Sequence, residues 1–599
     1  MRLLPLRGGL VLLGVWLFVC ACVSTGDLAV PGVDKLMQHN DRKRSGWNRF
    51  ETILTPDNVA GSGLELKWES PQLDSFNNEA PRIFASPLYV SKLRLEGGPH
   101  DGESTAVVIA ATGTGYLYAI NAGEHGDIPP GEILWSRRLT TEPCVNGREA
   151  VLGTPVIDAA THRVYVVSCD NTANYQVHAF DLGSGQLAPG WPVEISHATI
   201  NVPGMNRNGP TEFPDRPYVI QRGALNLNGN GTRLYVPFGK DTFSGWLVSV
   251  DTNEAKVASA FSTTAVTAEH QGGMWAASGT AVDEQDRVYI ATGASVVFAV
   301  NKAGIAGVFP DSDHNWGQSI LQLNDGPAGF ELVGTFTPFD YCRAQSNDID
   351  LGSSGTLVID LDPAQTSTPR LLALVGGKQG NAFLLDRDNM PGSLVRRHPC
   401  SDDSTSDLSL LPPEDQPQFG QRGPLNVFGP YSADLGWYDY AKSRTTAAYY
   451  HDGAGHHYLY ATGNTKVNAE SVENIPPSLV RMAIVTEPGR PAYLSVDRQN
   501  LSQVFLNPGS PVISSNGVRD AIIWVLDMNA TRAVSPWDAD NPPQPILYAM
   551  DGETLEVLWR SRDGELHTSG KYNEPAVVNG RVIVGTDRIQ AFGLKSGKD

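Results

Sequence analysis

Two carboxylates stand two residues apart in Asn347-Asp348-Ile349-Asp350, just ahead of Gly352 and Ser353. Asp348 and Asp350 at that spacing can offer hard oxygen ligands to Ca²⁺. A turn closed by Asx-type hydrogen bonds is the plainer use of the same residues. His270, beside Gly272 and Gly273, is the side-chain type that titrates near neutral pH and can act as a general base, or it serves only its own loop. Arg148, Arg222 and Arg519 carry planar forks suited to a carboxylate or other anion, and Glu149 and Asp520 stand next to two of them as competing partners. Trp275 and Trp524 offer faces for a planar ligand, or simply pack a sheet. Gly377-Lys378-Gln379-Gly380 resembles a phosphate loop but lacks the Walker spacing. Gly352-Ser353-Ser354-Gly355 does not fit a nucleophile elbow, and no Ser/His/Asp triad is supported.

The elements that must position these residues repeat along the chain. A small-residue or Pro-led strand runs through a turn to a Val/Tyr-rich strand, then to a strand ending in an apolar residue and Asp or Asn, and often to a strand ending in Trp. Copies are Ser86-Pro87-Leu88-Tyr89-Val90, Tyr116-Leu117-Tyr118-Ala119-Ile120-Asn121 and Ile133-Leu134-Trp135; Gly153-Thr154-Pro155-Val156-Ile157-Asp158 and Val177-His178-Ala179-Phe180-Asp181; and Ile546-Leu547-Tyr548-Ala549-Met550-Asp551 with Val557-Leu558-Trp559. Four short strands every roughly 40–60 residues make the blade of an all-β propeller. Seven units are predicted at 84–139, 153–195, 220–262, 274–338, 349–398, 430–500 and 510–562. The C-terminal strands 576–594 lack a Trp-ended partner, and Leu64-Glu65-Leu66-Lys67-Trp68 is a Trp-ended strand without a blade. Together they predict an eighth blade that closes the ring from both termini and hides its edges. Seven blades is the alternative, because the sixth unit is irregular.

In such a ring, the loop feeding each blade's innermost strand lies on one face near the axis. These feeder loops are read as containing Asn77, Asn78, Glu79 and Arg82; Arg148 and Glu149; Gln221 and Arg222; His270, Gln271 and Trp275; Asn347, Asp348, Asp350 and Ser353; Trp437 and Asp439; Asn516, Arg519, Asp520 and Trp524; and Lys571, Asn573 and Glu574. Converging charged and aromatic groups over an apolar funnel describe a binding site.

The 599 residues include 61 Gly and 41 Pro, enough for many turns. With 45 Lys+Arg against 65 Asp+Glu the formal charge is -20 and there is no basic run, which argues against a nucleic-acid partner. Residues 1–22 read as a targeting segment, with Arg2 and Arg7 ahead of an apolar core over 8–19. Val19-Cys20-Ala21-Cys22 resembles a lipobox with Cys22 as the lipidated residue, and an ordinary cleaved signal is the alternative. Residues 23–60 are a polar lead-in and 61–597 the propeller. Beyond the signal, Cys144, Cys169, Cys342 and Cys400 predict two disulfides in an exported protein. Proximity in sequence favours Cys144 with Cys169 and Cys342 with Cys400.

The Leu-Tyr-Ala-Ile/Met-Asn/Asp strands and the strands ending in Trp68, Trp135 and Trp559 resemble those of the pyrroloquinoline-quinone (PQQ) type propellers. More narrowly, Glu51-Thr52-Ile53-Leu54-Thr55, Gly272-Gly273-Met274-Trp275, Asp350-Leu351-Gly352-Ser353-Ser354-Gly355, Ser514-Ser515-Asn516-Gly517 and Val578-Asn579-Gly580-Arg581-Val582 resemble bacterial secreted proteins of the PQQ-binding-like kind. In quinoprotein dehydrogenases the resemblance implies PQQ held near the axis by a Trp and a disulfide of adjacent cysteines, with Ca²⁺ on Glu and Asn and a catalytic Asp. This chain has no adjacent cysteine pair and no CxxCH motif, so no catalytic residue carries over.

The expectation placed first is therefore an exported, lipid-anchored envelope propeller that binds a small molecule or a protein partner. The alternative is a PQQ- and Ca²⁺-dependent oxidoreductase with its site on the feeder face and Asp348 or Asp350 as ion ligand or base. A carbohydrate- or peptide-active enzyme using the same carboxylates is the third. Ligand contacts are expected from Arg82, Arg148, Glu149, Arg222, His270, Trp275, Asp348, Asp350, Ser353, Asn516, Arg519, Trp524 and Lys571.

Overall fold

A computed structural model describes residues 33–596 apart from 173, 216–218, 240–242, 266–270, 296–313, 347–348, 396, 399–409, 411–423, 429–440, 466–477, 531–533 and 539. Eight four-stranded antiparallel sheets follow one another around a ring. Blade 1 is Leu88–Arg94, Ser104–Ala111, Tyr116–Asn121 and Ile133–Arg138. Blade 2 spans Val156–Asp158 to Val193–Ile195, blade 3 Asn226–Leu227 to Lys256–Ser262, and blade 4 Ala281–Val282 to Gly329–Phe336. Blade 5 begins at Thr356–Asp360, blade 6 spans Ala448–His451 to Tyr493–Asn500, and blade 7 Val512–Asn516 to Val557–Arg560. Blade 8 joins Ala576–Val578, Arg581–Gly585 and Ile589–Leu594 to Leu64–Glu69, whose register sets Leu64 opposite Leu594. The expected closure by both termini holds, and the seven-bladed alternative does not. No helix among the described residues is long and apolar enough to cross a membrane.

Blade 5 departs from the expected boundaries. Its outermost strand is Leu425–Asn426, paired with Ala382 and Asn381, and not a segment before residue 398. Two residues carry too little pattern to stand out from the polar stretch around them.

Period-two alternation explains why the strands read as near-continuous apolar runs. Successive side chains of a strand point to opposite faces, and here both faces are covered by neighbouring blades. Val107 and Ile109 enter the core shared with blade 2, while Val108 and Ala110 enter the core shared with blade 8. Each junction between adjacent blades has its own apolar core. The Trp-ended strands reach across these junctions: Trp135 Nε1 donates to the Leu182 carbonyl of blade 2 at 2.9 Å. Gly185, at φ 63°, lies flat on that indole, where a Cβ would come within 2.6 Å of the ring.

The polar lead-in is built into the ring from residue 33 onwards. Its backbone circles the axis and touches all eight innermost strands. Lys35 exchanges two hydrogen bonds with Tyr89 of blade 1, and the Leu36 carbonyl accepts from Ile157 of blade 2. Asn226 of blade 3 donates to the Arg42 carbonyl. The carbonyls of Arg42, Lys43, Ser45 and Gly46 accept from Val282, Val358, Tyr449 and Ile513 of blades 4 to 7. Trp47–Asn48 then adds a short parallel strand to blade 7, and Asn48 Nδ2 reaches the Val577 carbonyl of blade 8.

This plug carries charge into the core. Arg44 is fully buried and donates to the carbonyls of Thr280, Gln38 and Leu225 at 2.7–2.9 Å. Glu574, fully buried, takes Lys35 Nζ at 3.0 Å and His39 Nδ1 at 2.7 Å. Burial pushes the Glu574 carboxyl up, but Lys35 and His39 together outweigh it and hold it at about 2.

A group whose folded pKa is depressed stabilises the fold above its unfolded value and loses that contribution as pH falls toward the folded one. For Glu574 the window runs from the ordinary 4.5 down to about 2. Glu574→Gln leaves Lys35 and His39 buried without a counter-charge, which costs about 3–5 kcal/mol. Urea unfolding of this variant should show a lowered midpoint at pH 7, and its deficit relative to wild type should shrink as pH falls through that window. A deficit unchanged between pH 6 and pH 2.5 would contradict the charge assignment.

Candidate functional site

The innermost strand of each blade runs away from its feeder loop and the second strand returns. The turn between the second and third strands therefore lies on the feeder face, and the turns between first and second and between third and fourth lie opposite. The plug closes the channel beneath. Two groups of side chains stand out on the feeder face.

The first spans blades 4 and 5. Asp350, 7 % exposed, precedes the short turn Leu351–Ser353. Its Oδ1 accepts the Ala294 backbone N–H at 2.7 Å and its Oδ2 takes Lys378 Nζ at 2.6 Å. The Lys378 ammonium lies 5.8 Å from the Trp275 ring centroid. Gly293 sits between them: a Cβ there would meet Asp350 Oδ1 at 2.8 Å and Trp275 Nε1 at 3.2 Å. Gln318 locks the Asp350 loop, donating to the Ile349 carbonyl and accepting from Leu351 N–H, both at 2.8 Å. Ser353 donates to the Asp350 carbonyl and is buried, so it shapes the turn.

The second group gathers Arg82, Arg148 and Trp537. The two guanidinium carbons lie 5.4 and 5.8 Å from the Trp537 ring centroid. Arg148 pairs with Glu79 at 2.8 Å, and not with its neighbour Glu149, which is half-buried and forms no ion pair among the described residues. Arg148 and Glu149 both donate backbone N–H to the Cys144 carbonyl, so the Cys144–Cys169 disulfide, which forms as expected, holds their loop. Farther round, Arg222 lies 5.6 Å from the Tyr572 ring, next to half-buried Lys571, and links the feeder loops of blades 3 and 8.

Four feeder loops on this face each hold a non-glycine residue in left-handed backbone. Val145, Ile220, Gln271 and Tyr572, one in each of four feeder loops, hold φ between 51° and 68°. For β-branched Val and Ile such angles are genuine outliers, and outliers of this kind concentrate where a structure over-determines a functional loop.

Three expected residues lie elsewhere. Asn516 and Arg519 face each other across the hairpin between the first and second strands of blade 7, on the opposite face. The reason is the turn itself: Gly517 and Asp520 take left-handed φ, so the chain reverses directly after the innermost strand. Trp524 is fully buried in the second strand, donates to Ser514 Oγ at 2.8 Å and packs the junction with blade 8. His270, Asp348, Asn347, Trp437, Asp439, Cys22 and Cys400 lie outside the described residues. Cys342 is disulfide-bonded.

Sequence reasoning missed Lys378 and Trp537 because it considered only feeder loops. Both lie in turns between second and third strands, and the alternation of hairpin direction would have found them. The Lys378 segment lacks the spacing of a phosphate loop, and its lysine instead serves Asp350.

The donor set fits an organic anion with a planar body: ammonium and guanidinium groups lie beside aromatic faces. The calcium expectation finds one described carboxylate, Asp350, already paired with Lys378. No cluster of three or more His, Cys, Asp or Glu able to hold an ion occurs among the described residues.

No protein-family model matches the sequence, and no curated protein matches it either. Solved structures do share the fold. A europium-containing methanol dehydrogenase aligns over 94 % of this chain and 98 % of its own at 14 % identity and a TM-score of 0.56. A quinohemoprotein alcohol dehydrogenase from Comamonas testosteroni aligns over 95 % of this chain and 81 % of its own, at 14 % identity and a TM-score of 0.54. Identity this low shows a common eight-bladed architecture and does not transfer chemistry.

The Asp350–Lys378 pair can be tested without any ligand. Lys378→Met and Asp350→Asn should each lower the urea midpoint, and the double variant should lose less than the sum, with a coupling of about 0.5–3 kcal/mol. Additive losses would mean that the two groups do not sense each other.

Proposed function

We propose that this protein is an exported propeller, lipid-anchored through Cys22, that holds a quinone of the PQQ class on its feeder face and oxidises an alcohol. The observation that carries the proposal is the Trp275, Lys378 and Asp350 group: an indole face, an ammonium above it and a buried carboxylate, held together on loops of two adjacent blades. The shared architecture with two alcohol-oxidising enzymes supports it. The reading as a pure protein scaffold has no comparable convergence of groups behind it.

When bound, such a quinone supplies a two-electron acceptor for an alcohol. The chain's own residues would divide the remaining tasks. Trp275 presents a face for the ring system to lie on. Lys378 would offer its ammonium to an anionic oxygen of the quinone. Asp350 would offer the carboxylate that accepts the hydroxyl proton of the alcohol. Arg222 on Tyr572 adds positive charge toward the quinone's carboxylates.

Titration of the mature protein with PQQ, with and without Ca²⁺, tests this by absorbance, tryptophan fluorescence and thermal melting. Specific binding stabilises by about 2.7 kcal/mol at a ligand concentration of 100 Kd, so the melting temperature should rise. Lys378→Ala and Trp275→Ala should weaken binding by about tenfold or more, the size expected for a charged hydrogen bond or a stacked face, whereas Arg519→Ala on the opposite face should not. No saturable change up to millimolar PQQ would end the quinone reading.

A further inference from the structure

Across the funnel from blades 4 and 5, the Arg82, Trp537 and Arg148 corner has features the quinone reading does not use. Arg82 is 8 % exposed, yet it forms no ion pair among the described residues. Its Nε and Nη1 donate to the carbonyls of Pro536 and Pro81 at 2.9 and 2.8 Å, which fixes the guanidinium while Nη2 makes no such bond. Arg148 gives Nη2 to Glu79, but its buried Nε has no hydrogen-bond partner. Glu79 is thus the one carboxylate in direct contact with the pair, on Arg148, while Asp587 and Glu79 act on Arg82 only through space. The common surface of the two guanidiniums is the half-buried Trp537 ring, with half-buried Phe84 at 6.2 Å and a 39° tilt.

The buried Arg148 Nε, left without an acceptor on a side chain that is otherwise 41 % exposed, costs free energy unless a ligand completes it. Rigid Arg forks match the planar carboxylate group, and an aromatic wall suits an apolar or planar body attached to it. A purely structural role, pinning Pro536, accounts for the Arg82 bonds to Pro536 and Pro81 but not for the unsatisfied Arg148 Nε. We propose that this corner binds the carboxylate of a small anionic molecule whose planar or apolar part rests on Trp537 and Phe84. The proposal goes beyond the quinone reading and does not depend on it.

The test uses the full mature protein without added quinone, with benzoate as probe and benzyl alcohol, benzylamine and inorganic phosphate as comparators, followed by calorimetry and tryptophan fluorescence. Benzoate should bind saturably, more weakly at high salt, and at least about tenfold more tightly than benzyl alcohol. Arg148→Gln should weaken benzoate by a similar factor. Arg82→Gln should do so as well, read only if its melting curve remains cooperative, because Arg82 also anchors Pro536. Trp537→Phe should remove most of the fluorescence change while calorimetric binding persists. Equal binding of benzoate and benzyl alcohol would reduce the corner to an apolar patch, and phosphate binding as tightly as benzoate would reduce it to bare positive charge; either overturns the proposal. So would the absence of saturable benzoate binding up to the millimolar range. If PQQ binds and displaces benzoate competitively, the quinone itself occupies the corner and a separate carboxylate site is wrong. If PQQ does not bind at all, the benzoate result still decides.

Discussion

The axis of an eight-bladed ring is the one place where no blade can cover its neighbour. Blade faces bury each other, but the innermost strands line a channel, and their outward-facing backbone groups need partners that no adjacent blade supplies. In this protein the chain itself provides them. A segment of fewer than twenty residues runs round the channel and gives each of the eight innermost strands at least one hydrogen bond. Its sharp path explains its sequence: His39, Asn40, Arg44 and Gly46 all take left-handed φ, and a Cβ on Gly46 would come within 2.5 Å of His39 Nε2 and 2.9 Å of Ala448 Cβ.

The polar character of that segment follows from the same constraint. Carbonyls at the starts of the innermost strands converge on the axis and need donors, which Arg44, Lys35 and His39 provide. Bringing three basic side chains into the core would be prohibitive without an acid, and Glu574 on the eighth feeder loop is that acid. Ring closure and plug are thereby coupled: the last blade is completed by a strand from the beginning of the chain, and its feeder loop carries the counter-charge for the turn that precedes that strand. Sealing one end of the channel also leaves the two faces unequal. The face over the plug is occupied by tight hairpins, whereas the feeder face carries the longer loops.

How much of this the sequence disclosed depended on whether a feature repeats. Blade number, closure by Leu64–Glu69 and the Cys144–Cys169 pair were readable, because strands recur and short cysteine spacings limit the options. Features that occur once were not. The plug looks like an ordinary polar stretch, since its function lies in contacts with strands up to 540 residues away. Leu425–Asn426 is a strand only because blade 5 lacks an outer edge without it. Arg519 was placed on the wrong face because a polar residue near a Gly looks the same in a feeder loop and in the hairpin one strand later; only counting strands within the blade separates them. Lys378 shows the converse error, a residue dismissed for failing one motif when its turn already lay on the right face.

The two cationic groups on the feeder face differ in a way that bears on what each can do. Lys378 is matched by Asp350, so that pair is electrically balanced and its chemistry lies in directed donors and acceptors at fixed positions beside Trp275. In the other corner Arg148 pairs with Glu79, whereas Arg82 is held by the Pro536 and Pro81 carbonyls and not by a carboxylate, and both guanidiniums lie beside Trp537. The one face thus carries two different constructions: a salt-bridged pair fixed beside an indole, and a guanidinium fixed by backbone carbonyls beside an aromatic wall.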